Sequence, residues 1–197
     1  MIYLTADLHL GEDRLKLMQR PFSSTDEMEA TIIKNFSHLN DEDTLIINGD
    51  ICKIGVEHKI SVLDKIKAQK ILIRGNHDRN LKPEQLSKYF VKVIEEGDGM
   101  ELDIDDLKCY VTHYPTRSIP SRFNLIGHIH SAFKVQLNMF NVGVDVNHFK
   151  PVSTEDIKFI FSSICTFYDD DVWVSDHPAN AEFKGKRGKK EVRFVKS

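Results

Sequence analysis

Cysteine is scarce in this chain, and its three cysteines (Cys52, Cys109 and Cys165) are widely spaced and odd in number. No disulfide framework follows from such a set, and a reducing compartment suits it. Long apolar runs are missing too: nothing approaches the ~20 apolar residues that a membrane helix needs. The opening run Met1–Ala6 meets a carboxylate at Asp7, too soon for the apolar stretch of a secretory signal. A cytoplasmic protein with no membrane contact is expected. There is no internal repeat and no low-complexity linker, so the 197 residues read as one domain able to bury a single core.

Charge is unevenly spread over the net −3. Seven Lys or Arg against one acid, Glu191, follow Phe183, a local excess of +6, and residues 1–183 therefore carry −9. An acidic body argues against a broad nucleic-acid face, because such affinity comes largely from cations on phosphates. The expected division is one domain over 1–183 and a basic tail over 184–197. The tail reads first as a solubilising end, and second as a contact for a nucleic-acid strand. Nothing in the pattern sets an oligomeric state.

What the chain does have is short β-rich apolar runs, each followed by polar residues. Met1–Ala6, Thr44–Asn48 and Lys70–Arg74 read as buried strands. Ser24-Thr-Asp-Glu27 has the form of a capping box ahead of Met28, Ile32, Phe36 and Leu39 at helical spacing. Ile60, Leu63 and Ile66 form a second helical stripe, and a short helix is expected to start near Pro83. The second half reads as strands at Val91–Glu95, Met100–Ile104, Leu107–Thr112, Phe123–Ile126, Lys134–Asn138 and Asn141–Val144, with a hairpin turn at Asp98-Gly99. A last helix, after Ser153 or Thr154, would carry Ile157, Phe161 and Ile164 on one face. Strand–helix alternation followed by consecutive strands predicts an α/β sandwich with mixed sheets.

Five of these strands are followed at once by residues able to bind metal. They are Asp7 and His9; Asp50; Asn76, His77 and Asp78; His113; and His128 and His130. Ligands in open α/β sheets bind at the carboxyl ends of strands, so the five clusters can converge on one crevice. Histidine, aspartate and asparagine without cysteine offer nitrogen and hard oxygen donors, which suit Mn, Fe, Zn, Ni or Mg better than a structural zinc site. So many donors exceed the needs of one ion, and a shared carboxylate would let two ions stand ~3.5–4 Å apart across a phosphoryl group. Gly49, Gly75 and Gly127 beside the donors would let the backbone turn and admit a substrate closely. Each residue alone is ordinary: a turn aspartate, a helix cap, a hydrogen-bonded core histidine. The tetrapeptide Gly75-Asn-His-Asp78 is not, arising by chance in roughly one such chain per thousand at ~1 in 20 per position. Cys52, two residues past Asp50, reads as a small buried hydrophobe.

Taken together, Asp7-Leu-His9, Gly49-Asp50, Gly75-Asn-His-Asp78, Thr112-His113 and Gly127-His-Ile-His130 resemble the calcineurin-like metallophosphoesterases, in that family's order. Asn141-Val-Gly-Val-Asp145, with Pro151 nearby, resembles its compact bacterial and phage members. The resemblance implies a four-layer α/β sandwich with mixed β-sheets. It gives one metal to Asp7, His9 and His130 and the other to Asn76, His113 and His128, with Asp50 bridging. His77 would be the acid facing the substrate, and Asp78 would orient it. The protein serine/threonine phosphatases of the superfamily carry Gly-Asp-x-x-Asp-Arg-Gly and Gly-Asn-His-Glu. Here Gly49-Asp-Ile-Cys-Lys-Ile-Gly55 and Gly75-Asn-His-Asp78 stand instead, which turns the reading away from phosphoproteins. Relatives often have histidine or asparagine where this chain has Glu12.

The expected function is that of a metal-dependent phosphoric ester hydrolase. It would cleave a phosphate mono- or diester, a nucleotide or other small ester, by attack of a hydroxide bridging two divalent ions, Mn²⁺ first among them. Arg79 and Arg117 are candidates to grip a phosphate oxygen. Two alternatives stand beside this reading: a nuclease or nucleic-acid-end phosphatase that uses the basic tail, and a non-catalytic metal-binding or scaffold protein of the same fold.

Overall fold

The computed structural model describes residues 1–167, so the last part of the expected 1–183 domain and the basic tail 184–197 lie outside the described residues. β1 (Ile2–Thr5), β2 (Thr44–Asn48), β3 (Gln69–Ile73), β4 (Lys92–Ile94) and β10 (Val152–Ser153) make one sheet, in the order β10-β1-β2-β3-β4. β1 to β4 are parallel, and β10 joins β1 antiparallel. β5 (Gly99–Ile104), β6 (Leu107–Thr112), β7 (Phe123–Ile126), β8 (Val135–Gln136) and β9 (Met139–Asn141) make the other, in the order β5-β6-β7-β9-β8. β6, β7 and β9 are parallel, with β5 and β8 antiparallel at the edges. The fold is mixed α/β with two mixed sheets.

Period-two alternation explains the layering. Along β2, Leu45 and Ile47 face one way and Ile46 the other, and all three are buried, so the strand reads as an unbroken apolar run. Leu45 and Ile47 meet Met28, Ile32 and Phe36 of α1 (Thr25–Phe36) and Leu86 of α2 (Pro83–Tyr89). Ile46, with Leu4 and Ile73, meets Cys109, Val111 and Leu125 of the second sheet. Ile157 and Ile164 of α3 (Thr154–Phe167) join that inter-sheet core. Cys52 is buried, as expected of a small apolar side chain.

The helix caps follow the sequence. Ser24 Oγ accepts the Glu27 N–H at 3.1 Å, although Glu27 reaches back to Ser23 and not to Ser24. Ser153 and Asp156 cap α3 reciprocally, at 3.0 and 3.1 Å. The stripe Ile60, Leu63, Ile66 is a 3-10 helix over Glu57–Lys65 and not an α-helix. A strict spacing of three fits that tighter coil.

Two turns differ from expectation. Asp98-Gly99 is no hairpin: β4 pairs parallel with β3, and the chain crosses between sheets before β5. The hairpin lies at Asp105-Asp106, where Ile104 pairs Leu107 and Asp105 takes φ +52°. The expected strand Lys134–Asn138 is cut by a second tight turn, with Leu137 at φ +51° and Gln136 paired to Met139. Several of the acids around Glu95–Asp106 pair with cations, among them Arg74, Arg122 and Lys108. Because both faces of β2 are buried, Ile46→Ala should lower unfolding free energy by about 2–5 kcal/mol in urea titration, the usual cost of a core truncation that leaves a cavity. A loss below 1 kcal/mol would mean that the sheets do not depend on this contact.

Candidate metal centre

β1, β2 and β3 run parallel, as do β6 and β7, so residues just past their carboxyl ends gather where the sheets meet. Asn48, the last residue of β2, joins the two sheets there. Its Nδ2 donates to the carbonyls of Thr112 (2.9 Å) and Leu125 (3.2 Å), and its own carbonyl lies 2.7 Å from His113 Nδ1. The Asp7 and His9 N–H groups donate to the carbonyls of Gly49 and Asp50, each at 3.0 Å, so the segments after β1 and β2 stay in register beyond the strands.

The backbone is strained at the donors themselves. Asp7, His9, Asp50, His128 and His130 have φ of +58°, +47°, +58°, +74° and +47°. A left-handed conformation costs a residue with a Cβ on the order of 1–2 kcal/mol. Such strain gathers at functional sites, where the surrounding structure enforces it. Gly49 shares the conformation at φ +87°, and a Cβ there would lie 2.3 Å from His113 Nδ1. At Gly75 a Cβ would lie 2.3 Å from Asp50 Oδ1. At these two positions the glycines make room for donor side chains, not for a substrate as the sequence suggested.

Three overlapping groups result: Asp7, His9 and His130; His9, Asp50 and His77; and Asp50, His113 and His128. In each, the donor atoms lie within 4.8 Å of one another. Asp50 Oδ2 is 3.6 Å from His9 Nε2 and 3.6 Å from His113 Nε2. That is too long for a hydrogen bond. It is close to the ~3.0–3.5 Å that separates two adjacent ligands of one ion at bonds of ~2.1 Å. His9 Nε2, His113 Nε2, Asn76 Oδ1 and His77 Nδ1 are all buried with no hydrogen-bond partner. Buried polar atoms are rarely unpaired, and three of these belong to residues of the donor groups, which fits a cation among them.

Charge is tightly managed. Burial raises the Asp7 carboxyl to about 6 and lowers His9 to about 3. For His113 burial acts against protonation, but the Asp50 and Asp7 carboxylates outweigh it and lift its pKa to about 9. Burial pushes the Asp50 carboxyl up, yet the facing His113 and His9 hold it well below the usual range.

The family model for calcineurin-like phosphoesterases matches residues 1–195. The chain belongs to that family. It is 29% identical over 168 residues to an uncharacterised protein of Methanocaldococcus jannaschii, covering 78% of this chain and 87% of that one. A protein of unknown function from Aquifex aeolicus shares the fold, with a TM-score of 0.65 at 22% identity over 81% of this chain and 98% of that one. A nuclease from Pseudomonas putida aligns over 66% of this chain and 61% of its own, at 27% identity with a TM-score of 0.44.

In this calcineurin-like phosphoesterase six of the seven donors named from sequence fall in the three groups, Asn76 adds a buried Oδ1 without a partner, and two other expectations change. Asp78 does not orient His77. Its buried carboxylate accepts the N–H groups of Asp50 (2.8 Å), Ile51 (2.9 Å) and Gly75 (2.8 Å), so it locks the loop after β2 to the loop after β3. Arg79 is not a free phosphate ligand, since Glu96 takes its Nε at 2.6 Å and its NH2 at 2.5 Å. Arg117 is exposed, and among the described residues its side chain makes no ion pair.

Several contributors carried no motif. Tyr114 packs edge-on against His113 and His128, with ring centroids 4.9 and 4.8 Å away, and its hydroxyl donates to Glu96. Glu12, fully buried, accepts Arg14 through the backbone N–H and two guanidinium nitrogens at 2.8–2.9 Å. Arg20 and Asp145 stand behind Asp7 and His130. Asp145 had a sequence signal, inside Asn141-Val-Gly-Val-Asp145, and Glu12 had one as a departure from the relatives' histidine or asparagine.

A divalent ion needs His113 neutral and Asp7 ionised. With pKa values of about 9 and about 6, His113 carries a proton at pH 7 and Asp7 joins it below pH 6. Metal affinity should therefore rise from pH 6 to 9. Calorimetry in buffers of different ionisation enthalpy should find proton release on metal binding at pH 7.5. No proton release there would contradict this charge balance.

Proposed function

We propose that the chain is a dinuclear metal-dependent phosphoesterase that hydrolyses a phosphate mono- or diester, with Asp50 between the ions. One observation carries the reading: Asp50 Oδ2 stands 3.6 Å from each of two unpartnered imidazole nitrogens that belong to separate donor groups. Asp7, His9 and His130 would hold one ion, and Asn76, His113 and His128 the other. The ions would supply Lewis acidity and a water acidified toward neutral pH. Mn²⁺ is the first expectation, with Fe, Zn, Ni and Mg also compatible with nitrogen and hard oxygen donors.

The remaining work falls to the chain's own groups. The His77 backbone N–H donates to Asp50 Oδ1 at 2.9 Å, which fixes the residue beside the shared carboxylate. Its ring stands edge-on to His9 with centroids 4.5 Å apart, and its Nδ1 has no protein partner. A half-buried imidazole of this kind can give a proton to the departing oxygen. The acidic body, −9 over residues 1–183, favours a nucleotide or other small ester over a long polyanion.

A panel of nucleotides, cyclic nucleotides and aryl phosphates with Mn²⁺ tests the reading, and chelator should abolish turnover. Full activity in chelator would overturn it. For His77 the leaving group decides. General acid catalysis is worth ~10²–10⁴-fold when the departing oxygen is basic. His77→Ala should lose that much on esters of a sugar hydroxyl, keep much of its p-nitrophenyl phosphate activity, and still bind its ions. Equal losses on both ester types, or loss of metal, would place His77 among the ligands instead, where its neighbourhood with His9 and Asp50 also allows it.

A further inference from the structure

Behind His130 lies a buried ion pair that no step above uses. Asp145 Oδ2 is 2.8 Å from His130 Nδ1, and the same carboxylate accepts Nε of Arg20 at 2.9 Å and NH2 at 3.1 Å. Arg20 reaches further, donating to the carbonyl of Asp7 at 2.6 Å and to that of Leu8 at 2.9 Å. The Arg20 side chain is 0% exposed and that of Asp145 5%. One guanidinium thus braces the left-handed turn at Asp7 and fixes the carboxylate behind His130.

Stability alone is a weak reason for such a pair. Removing two charges from water costs several kcal/mol per ion, and well-packed apolar side chains often serve as well. This pair, moreover, converges on two members of one donor group. The other group has no ionised counterpart among the described residues: His113 Nδ1 faces the neutral Asn48 carbonyl at 2.7 Å. His128 makes hydrogen bonds only through its backbone among the described residues.

We propose that Arg20 and Asp145 are positioning residues that preset the Asp7–His9–His130 group and make it the tighter of two metal positions. Asp145 accepts the hydrogen bond of His130 Nδ1–H, which leaves the Nε2 lone pair for the ion. Partners of this kind fix ring orientation and raise ligand basicity, and their loss typically weakens metal binding ~10–100-fold. The proposal rests on the dinuclear reading.

The test is a Mn²⁺ titration of metal-free full-length protein by calorimetry. Wild type should bind in two steps. Asp145→Asn, whose amide can turn a donor toward Nδ1, should weaken the tighter step ~10–100-fold and leave the weaker one in place. Arg20→Lys keeps the buried charge but loses the fork. It should shift the same step less, and it decides the matter if Asp145→Asn does not fold. Unchanged steps, or equal weakening of both, would overturn the proposal. A wild type that binds one ion would instead overturn the dinuclear reading, and this inference with it.

Discussion

Asp50 Oδ2 faces His9 Nε2 and His113 Nε2 at the same 3.6 Å, and all three residues are buried. A buried carboxylate is costly unless charge or hydrogen bonds compensate it. Here the protein supplies one N–H, from His77 at 2.9 Å, and one imidazole poised to carry a proton. The rest of the local architecture serves to hold that carboxylate in place. Asp78 grips the consecutive N–H groups of Asp50 and Ile51, and Asn48 pins the end of β2 to β6 and β7.

Parallel strands make this economical to build. Five carboxyl ends from two sheets reach one edge, and each contributes a left-handed or tightly turned segment just past its last paired residue. The strain at Asp7, His9, Asp50, His128 and His130 is supported by apolar packing on both sides of the first sheet. Phe36, Ile46 and Leu125 thus contribute to the site without touching it. Arg20 and Tyr114 connect the two scales, since Arg20 holds the Asp7 carbonyl and Tyr114 packs on the His113 and His128 rings.

Much of this was legible in the sequence, because the donors sit beside short apolar runs whose ends are marked by glycine. β2, β6 and β7 begin and end where the pattern placed them. What was hidden depends on contacts distant along the chain. Arg20 and Asp145 are separated by 125 positions, and no local spacing announces their pairing. Asp78 follows His77, so adjacency suggested a side-chain partnership, whereas the fold turns its carboxylate toward backbone N–H groups. Asp98-Gly99 had hairpin chemistry, but whether a turn joins neighbouring strands depends on which sheet each strand enters. β4 is committed to β3 and β5 to β6, so that turn became a crossover. Glu96, which carries no motif, holds both Arg79 and Tyr114.

The central claim is that one carboxylate joins two metal positions. Anomalous diffraction from crystals soaked in Mn²⁺ tests it most directly. The account predicts two peaks ~3.5–4 Å apart, one on each side of Asp50, with Asp7, His9 and His130 around the first and Asn76, His113 and His128 around the second. A single peak, or two peaks that do not share Asp50, would contradict it.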